Sequence, residues 1–332
     1  MTLRRWLKSA LERGAVSSGA TYLSRRRRRG DTLILAYHNV VPDGAPVRGD
    51  RSLHLPQRMF GMQLDLLRAT HDIVPLAEAL ADILTPAAEH AHERGYADRQ
   101  PHLQYPHGIS PRRPRAVITF DDAYRGTVTA GVAELRARNL SATIFVPPAY
   151  VGGETFWWDV LTPDGADGLP TEIRTHALER EAGQQARVLR WATSRGASVS
   201  TVPDHTTCAS TAELAAALDS HPPLTVGAHT WSHPNLAQLA SGELEYELTA
   251  PRRWLEERFP GRTVAMLSYP YGRATPLVWD AMREAGYDAG FMIDGGWVTR
   301  SLRNRYAIPR LNVPAGVSAE GFMLRMAGLV AR

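Results

Sequence analysis

The chain has 332 residues, 44% hydrophobic and 22% charged, a composition that excludes disorder over most of its length and suffices for a full hydrophobic core. Its formal net charge of +4 is unevenly placed: residues 1–30 carry nine bases (Arg4, Arg5, Lys8, Arg13 and Arg25 to Arg29) against one acid, Glu12, and this local +8 leaves the other 302 residues at −4. A body without basic excess argues against nucleic acid as a partner. Lys8 is the sole lysine, which excludes Schiff-base and P-loop chemistry from the folded part, and Cys208 is the sole cysteine, which excludes intrachain disulfides and cysteine-rich zinc sites.

At the N-terminus, Leu3, Trp6, Leu7, Ala10 and Leu11 recur at helical spacing while Arg4, Arg5 and Lys8 lie off that stripe. This predicts a short basic amphipathic helix running into the five-arginine stretch. Such a segment either lies on an anionic membrane or packs on its own domain. No stretch reaches the roughly 18 apolar residues of a membrane span, and the N-terminus lacks the apolar run of a signal peptide, so the expectation is a cytoplasmic protein, with peripheral contact at the inner membrane face left open.

Residues 31–332 read as one α/β domain with two interruptions. Residues 85–114, rich in Pro, His, Arg and Gly, predict an exposed excursion whose histidines (His90, His92, His102, His107) lack a companion carboxylate or cysteine at ligand spacing. Residues 153–222 predict a helical insertion or lid. Between them, β-branched or aromatic runs alternate with helical patterns. The strands expected are Thr32 to His38, Ala116 to Phe120, Ala142 to Val146, Leu224 to His229, Thr263 to Tyr269, Tyr287 to Ile293 and Tyr306 to Val313. Helices are expected over Gly126 to Arg138, Asn235 to Phe259 and Pro276 to Ala285. Seven such units predict a deformed (β/α)7 barrel, TIM-like in architecture.

Chemically capable residues gather where these strands end, the rim that carries active sites in parallel α/β barrels. The first strand ends in Tyr37-His38, the second in Asp121-Asp122, the fourth in His229 and His233, and the fifth in Tyr269-Pro270-Tyr271-Gly272. Adjacent carboxylates at a strand end point in different directions, so one can bind a metal and the other face a substrate; a helix cap is the alternative. Pro234 suits a first helical position, which would set His233 at a helix start and His229 at the strand end. Two histidines and a carboxylate compose a divalent-metal site with open positions.

In this order and spacing, Thr-Phe-Asp-Asp (119–122), His-Thr-Trp-Ser-His-Pro (229–234) and Tyr-Pro-Tyr-Gly (269–272) resemble the NodB-homology polysaccharide deacetylases, carbohydrate esterase family 4. The resemblance implies that Asp122, His229 and His233 hold a divalent metal, usually zinc. It further implies that Asp121 is the general base and that the Tyr271 backbone N–H helps bind the oxyanion. The chain departs from the family twice. Ser268 stands where members commonly carry an arginine that orients the base, and Arg310 is the residue able to supply that charge from another direction. No histidine follows His233, so the usual Leu-x-His acid motif is missing from the end; Leu33-Ile34-Leu35-Ala36-Tyr37-His38 looks like that element moved to the front, as in circularly permuted members, with His38 as the acid. Trp157, Trp158 and Trp231 are candidates for stacking on a sugar ring or for packing.

The expected function is metal-dependent removal of an N-acetyl group from an amino sugar in a polysaccharide or its lipid-linked precursor. Deformylation or deacylation of a lipid-linked amino sugar or small amide, or carbohydrate binding without catalysis, are the alternatives.

Overall fold

The computed structural model describes residues 3–84, 113–299 and 301–330, so nearly all of the excursion expected at 85–114 lies outside the described residues. Its centre is a largely parallel sheet of β1 (Thr32–Tyr37), β5 (Arg115–Phe120), β6 (Ala142–Val146), β7 (Leu224–Ala228), β8 (Thr263–Ser268) and β9 (Ala289–Phe291), paired in that order. Two short strands, β2 (Asn39–Val41) and β3 (His54–Pro56), pair separately, β4 (Asp72–Ile73) flanks β5, and β10 (Trp297–Val298) runs antiparallel beside β1. The ring closes through residues 308–312: Ile308 bridges Phe291, and β11 (Leu311–Asn312) pairs with β1. The fold is thus the expected deformed barrel, with a closing strand shorter than the 306–313 run suggested. Its middle is spent on Pro309, which has no N–H to donate to a ladder.

All six residues of β1 are buried, as expected of a parallel strand covered on both faces. The period of two divides the core. Leu33, Leu35, Ala116 and Ile118 face the surrounding helices, whereas Ile34, Val117, Phe145, Met266, Phe291 and Ile308 form an inner cluster joined by Leu76, Ala79, Leu80 and Ile83 of the helix Leu76–Leu84. The same alternation carries Thr119 and Asp121 onto the inner face after Val117, Ser268 after Met266, and Arg310 after Ile308.

The helix after β5 begins as a π turn at Thr127–Gly131 before Val132–Arg138. Thr127 Oγ1 donates to the His38 carbonyl at 2.5 Å and accepts the Val40 N–H at 3.2 Å, tying this helix to the end of β1. Gly126 permits the approach, since a Cβ there would lie 2.4 Å from the Val40 oxygen. The insertion at 153–222 is helical: Trp157–Val160, Thr171–Glu179, Gln185–Ser194 and Thr211–Ser220, the last opened by a Ser210–Glu213 capping box. The N-terminal helices Leu3–Ser17 and Ala20–Arg27 return to the C-terminal helix Ala319–Met326 through Ser318–Glu12 and Ser24–Ala327 hydrogen bonds.

Candidate active site

Asp121 and Asp122 follow β5 and are both buried. Asp122 and Ala123 adopt left-handed backbone, φ 70° and 51°, so the chain swings sharply and the two carboxylates part. Neither caps the following helix, whose N-terminus shows no side-chain cap.

Asp121 meets Arg310. This fully buried guanidinium donates from Nη1 to Asp121 Oδ1 at 2.9 Å and from Nη2 to Oδ2 at 2.7 Å, a two-pronged pair. The same group donates to Thr119 Oγ1 at 3.0 Å, to Ser268 Oγ at 2.7 Å and, through Nε, to the Met292 carbonyl at 3.1 Å, above the faces of Phe145 and Phe291. Arg310 therefore reaches the Asp121 carboxylate alongside Ser268. Burial pushes the Asp121 carboxyl up, but Arg310, with His229 and His38 adding to it, outweighs burial and holds it below the ordinary carboxylate range.

Asp122 faces the two histidines. Its Oδ1 lies 3.4 Å from His229 Nε2 and 3.2 Å from His233 Nε2, and the two ring nitrogens are 3.1 Å apart. His229 donates from Nδ1 to the Ser268 carbonyl at 2.8 Å, which leaves its Nε2 with a lone pair directed into the site. Burial would raise the Asp122 carboxyl, yet the proximity of His229 and His233 holds it far below its usual value. Burial and the neighbouring His229 lower His233, keeping it neutral, whereas Asp121 and Asp122 lift His229 against burial. Three ligand atoms converge here, and Asp122 Oδ1 has no hydrogen-bond partner although it is buried. With two buried carboxylates against one guanidinium, the residues fit a divalent cation in donor type and in charge.

His233 does not begin a helix. It sits in a loop at φ 57° after Thr230 at φ 61°, and the first helical turn comes only at Leu236–Gln238, capped by Asn235. What shapes the loop is Glu247, whose carboxylate accepts the Trp231 and Ser232 N–H groups, each at 2.8 Å, and the Ser232 hydroxyl at 2.6 Å. That anchoring sustains two left-handed non-glycine residues.

His38 follows β1, one position beyond the Tyr37–Phe120 pairing and so beside Asp121. Burial lowers its pKa, the charges of Asp122 and Asp121 oppose this, and the net direction is down. Tyr271 follows β8 at φ 60°; its ring packs edge-on against His233 with centroids 4.7 Å apart, and its hydroxyl donates to the His233 carbonyl at 3.2 Å.

Trp157 and Trp158 are core residues of the insertion and offer no open face for a sugar, which corrects the stacking expectation for both. Their indoles are spent on Tyr271 and Tyr124, and Trp158 lies 4.9 Å from the His233 ring. Trp231 is half-exposed, edge-on to Tyr246.

A network invisible in the motifs supports this wall. Asp159, wholly buried, accepts the Asp50 N–H at 2.9 Å, His54 Nε2 at 2.9 Å and the Tyr124 hydroxyl at 2.7 Å. Tyr124 in turn accepts Trp158 Nε1 at 2.9 Å. The insertion, the β2–β3 layer and the Asp122 turn are thereby held together around His233.

The polysaccharide deacetylase family model matches residues 108–290, more than half of the chain. The chain belongs to the polysaccharide deacetylase family, hydrolases of N-acetyl amide bonds in carbohydrates. Solved structures share its fold. The deacetylase PplD of Streptococcus pyogenes, in complex with acetate, is 14% identical with a TM-score of 0.55 over 89% of this chain and 98% of that one. IcaB from Ammonifex degensii is 18% identical with a TM-score of 0.54 over 90% and 97%. A de-N-acetylase from Aggregatibacter actinomycetemcomitans is 12% identical with a TM-score of 0.55 over 89% and 99%. No curated protein matches the chain in sequence.

Proposed function

We propose that the protein removes N-acetyl groups from an amino sugar in a polysaccharide or its lipid-linked precursor, with Asp122, His229 and His233 holding a divalent metal, zinc in the reading the resemblance supports. When bound there, such an ion supplies Lewis acidity to the amide carbonyl and lowers the pKa of water from 15.7 to about 7. The observation that carries the reading is the separation of two adjacent carboxylates, Asp122 toward the histidines and Asp121 toward Arg310.

Asp121 accepts the proton of the attacking water. Its ionised form is secured by Arg310, so it serves as base from mildly acidic pH upward. The Tyr271 N–H donates to the carbonyl oxygen as charge gathers on it. In its protonated form, whose share grows as pH falls and which burial disfavours by lowering its pKa, His38 delivers a proton to the departing amine nitrogen, so that the sugar leaves as an amine rather than as its anion and the ring is left neutral; β1 performs here the part of a relocated Leu-x-His element. Of the three candidate tryptophans, Trp231 is the one left available to a sugar. The test is acetate release from N-acetylglucosamine oligomers by wild type and by Asp121→Asn.

We place the protein in the cytoplasm, and the basic N-terminal segment enters the reading as a peripheral contact with the anionic inner membrane face.

A further inference from the structure

Away from the rim, the arginine run does not simply project into solvent. Arg25, Arg26 and Arg29 line a cavity of about 180 Å³ together with Arg113, Tyr22 and Thr70. Among the described residues no carboxylate lines this cavity, although Arg29 and Arg113 also line a neighbouring cavity with Asp31, Asp72 and Asp82. Arg25 is half-buried, and removing its guanidinium from water without a counter-charge is unfavourable. The helices Ala20–Arg27 and Gln57–Thr70 end at this place, and each C-terminus contributes only about half a negative charge, small against four guanidinium groups. His71, behind the cavity, is depressed to about 3, by burial first and then by Arg25 and Arg113, in keeping with a surplus of positive charge. Beside it the surface is apolar as well as basic: Tyr22, which lines the cavity, and the adjacent Leu23 are 57% and 56% exposed, and Arg26 and Arg27 lie one turn from them.

We propose that this four-arginine cavity binds the phosphate headgroup of an anionic membrane lipid, with Tyr22 and Leu23 dipping into the lipid interface around it. The inference deepens the membrane reading above by naming the site and the ligand. Phosphate suits planar guanidinium forks, and apolar side chains beside a basic cluster mark an interfacial helix rather than a site for a free anion. The placement also sets the direction in which the enzyme works. Pro114, which lines the cavity, precedes β5 while Asp121 follows it, so the cavity and the catalytic rim lie at opposite ends of a six-residue strand, about 20 Å apart. A protein seated by this cavity turns its active site away from the bilayer and meets substrate from the aqueous side, which favours the polysaccharide over the lipid-linked precursor.

The test is co-sedimentation of the full-length protein with phosphatidylglycerol vesicles and with phosphatidylcholine vesicles. Wild type is expected on the former and not on the latter. Arg25→Gln with Arg29→Gln is expected to weaken binding at least tenfold, whereas the charge-matched control Arg136→Gln with Arg195→Gln, on exposed positions outside the N-terminal segment, changes it less than twofold. Equal losses in both pairs overturn the site in favour of diffuse charge, as does wild type that ignores phosphatidylglycerol. Wild type that binds inorganic phosphate in titration but no vesicle overturns the lipid assignment. Both variants keep wild-type acetate release from soluble oligomers. If wild type releases none, the enzymatic reading fails while the vesicle result stands by itself.

Discussion

Arg310 and Asp121 stand 189 residues apart in sequence and face each other through two parallel hydrogen bonds of 2.9 and 2.7 Å inside the top of the barrel. The guanidinium reaches the carboxylate from the closing strand, with Ser268 as its neighbour on β8. This arrangement dictates how the base responds to pH. Burial is the largest influence on Asp121 and acts upward, so removing Arg310 lets burial prevail. Arg310→Met is therefore expected to raise the Asp121 pKa and to move the acidic limb of the pH profile of kcat/KM to higher pH, with partial recovery as pH rises. An unchanged profile would show that Asp121 does not depend on this arginine.

The same depressed pKa has a consequence for the fold. A carboxyl lowered in the native state stabilises it above the unfolded pKa, near 3.9, and that contribution disappears as pH falls through the folded value. Acid unfolding of Arg310→Met should begin at higher pH than that of wild type, measured by circular dichroism.

Because Ser268 Oγ lies 2.7 Å from Arg310 Nη2, a guanidinium launched from position 268 can reach the same carboxylate. Arg310→Ser alone should lower kcat/KM about 100-fold, the scale of roughly 3 kcal/mol at one catalytic group. Adding Ser268→Arg should restore at least tenfold of that loss. A double variant no better than the single one would confine the role to the closing strand.

His38 is read as the donor to the leaving amine, and such a group contributes roughly 10² to 10⁴ in rate. His38→Ala should show that loss on N-acetylglucosamine oligomers but much less on an activated acetate ester, whose leaving group needs no proton. Equal losses on both substrates would assign His38 to positioning.

Asp159 satisfies the Asp50 N–H, His54 and Tyr124 in a dry interior. Replacing it with Ala leaves three polar groups without their acceptor, at about 1–3 kcal/mol each when no water replaces it. Urea unfolding of Asp159→Ala should show a loss of about 3–5 kcal/mol, in line with breaking other buried pairs. A loss under 1 kcal/mol would mean that water takes the place of the carboxylate.

The strands and their chemistry were legible because several buried strands are short apolar runs that stop at a polar residue, as Phe120 does before Asp121 and Ala228 before His229. Period-two alternation even foretells that Thr119 and Asp121 share a face. Other features depend on partners far away in sequence. Pro234 reads as a helix start, but Glu247 captures the N–H groups of Trp231 and Ser232, 16 and 15 residues before it, and holds His233 in a left-handed loop. Trp157 and Trp158 read equally as sugar platforms or as core until Tyr124 and Tyr271 are seen to take their indole protons. The His54–Asp159 contact spans 105 residues and belongs to no motif, so only the fold reveals it.

The division of labour between adjacent carboxylates is the central claim, and metal content measured together with acetate release tests it most directly. Wild type should carry one divalent ion per chain and release acetate from N-acetylglucosamine oligomers. Asp122→Ala should lose the ion, while Asp121→Asn should keep it and release no acetate. Metal retained by Asp122→Ala, or full turnover by Asp121→Asn, would contradict the account.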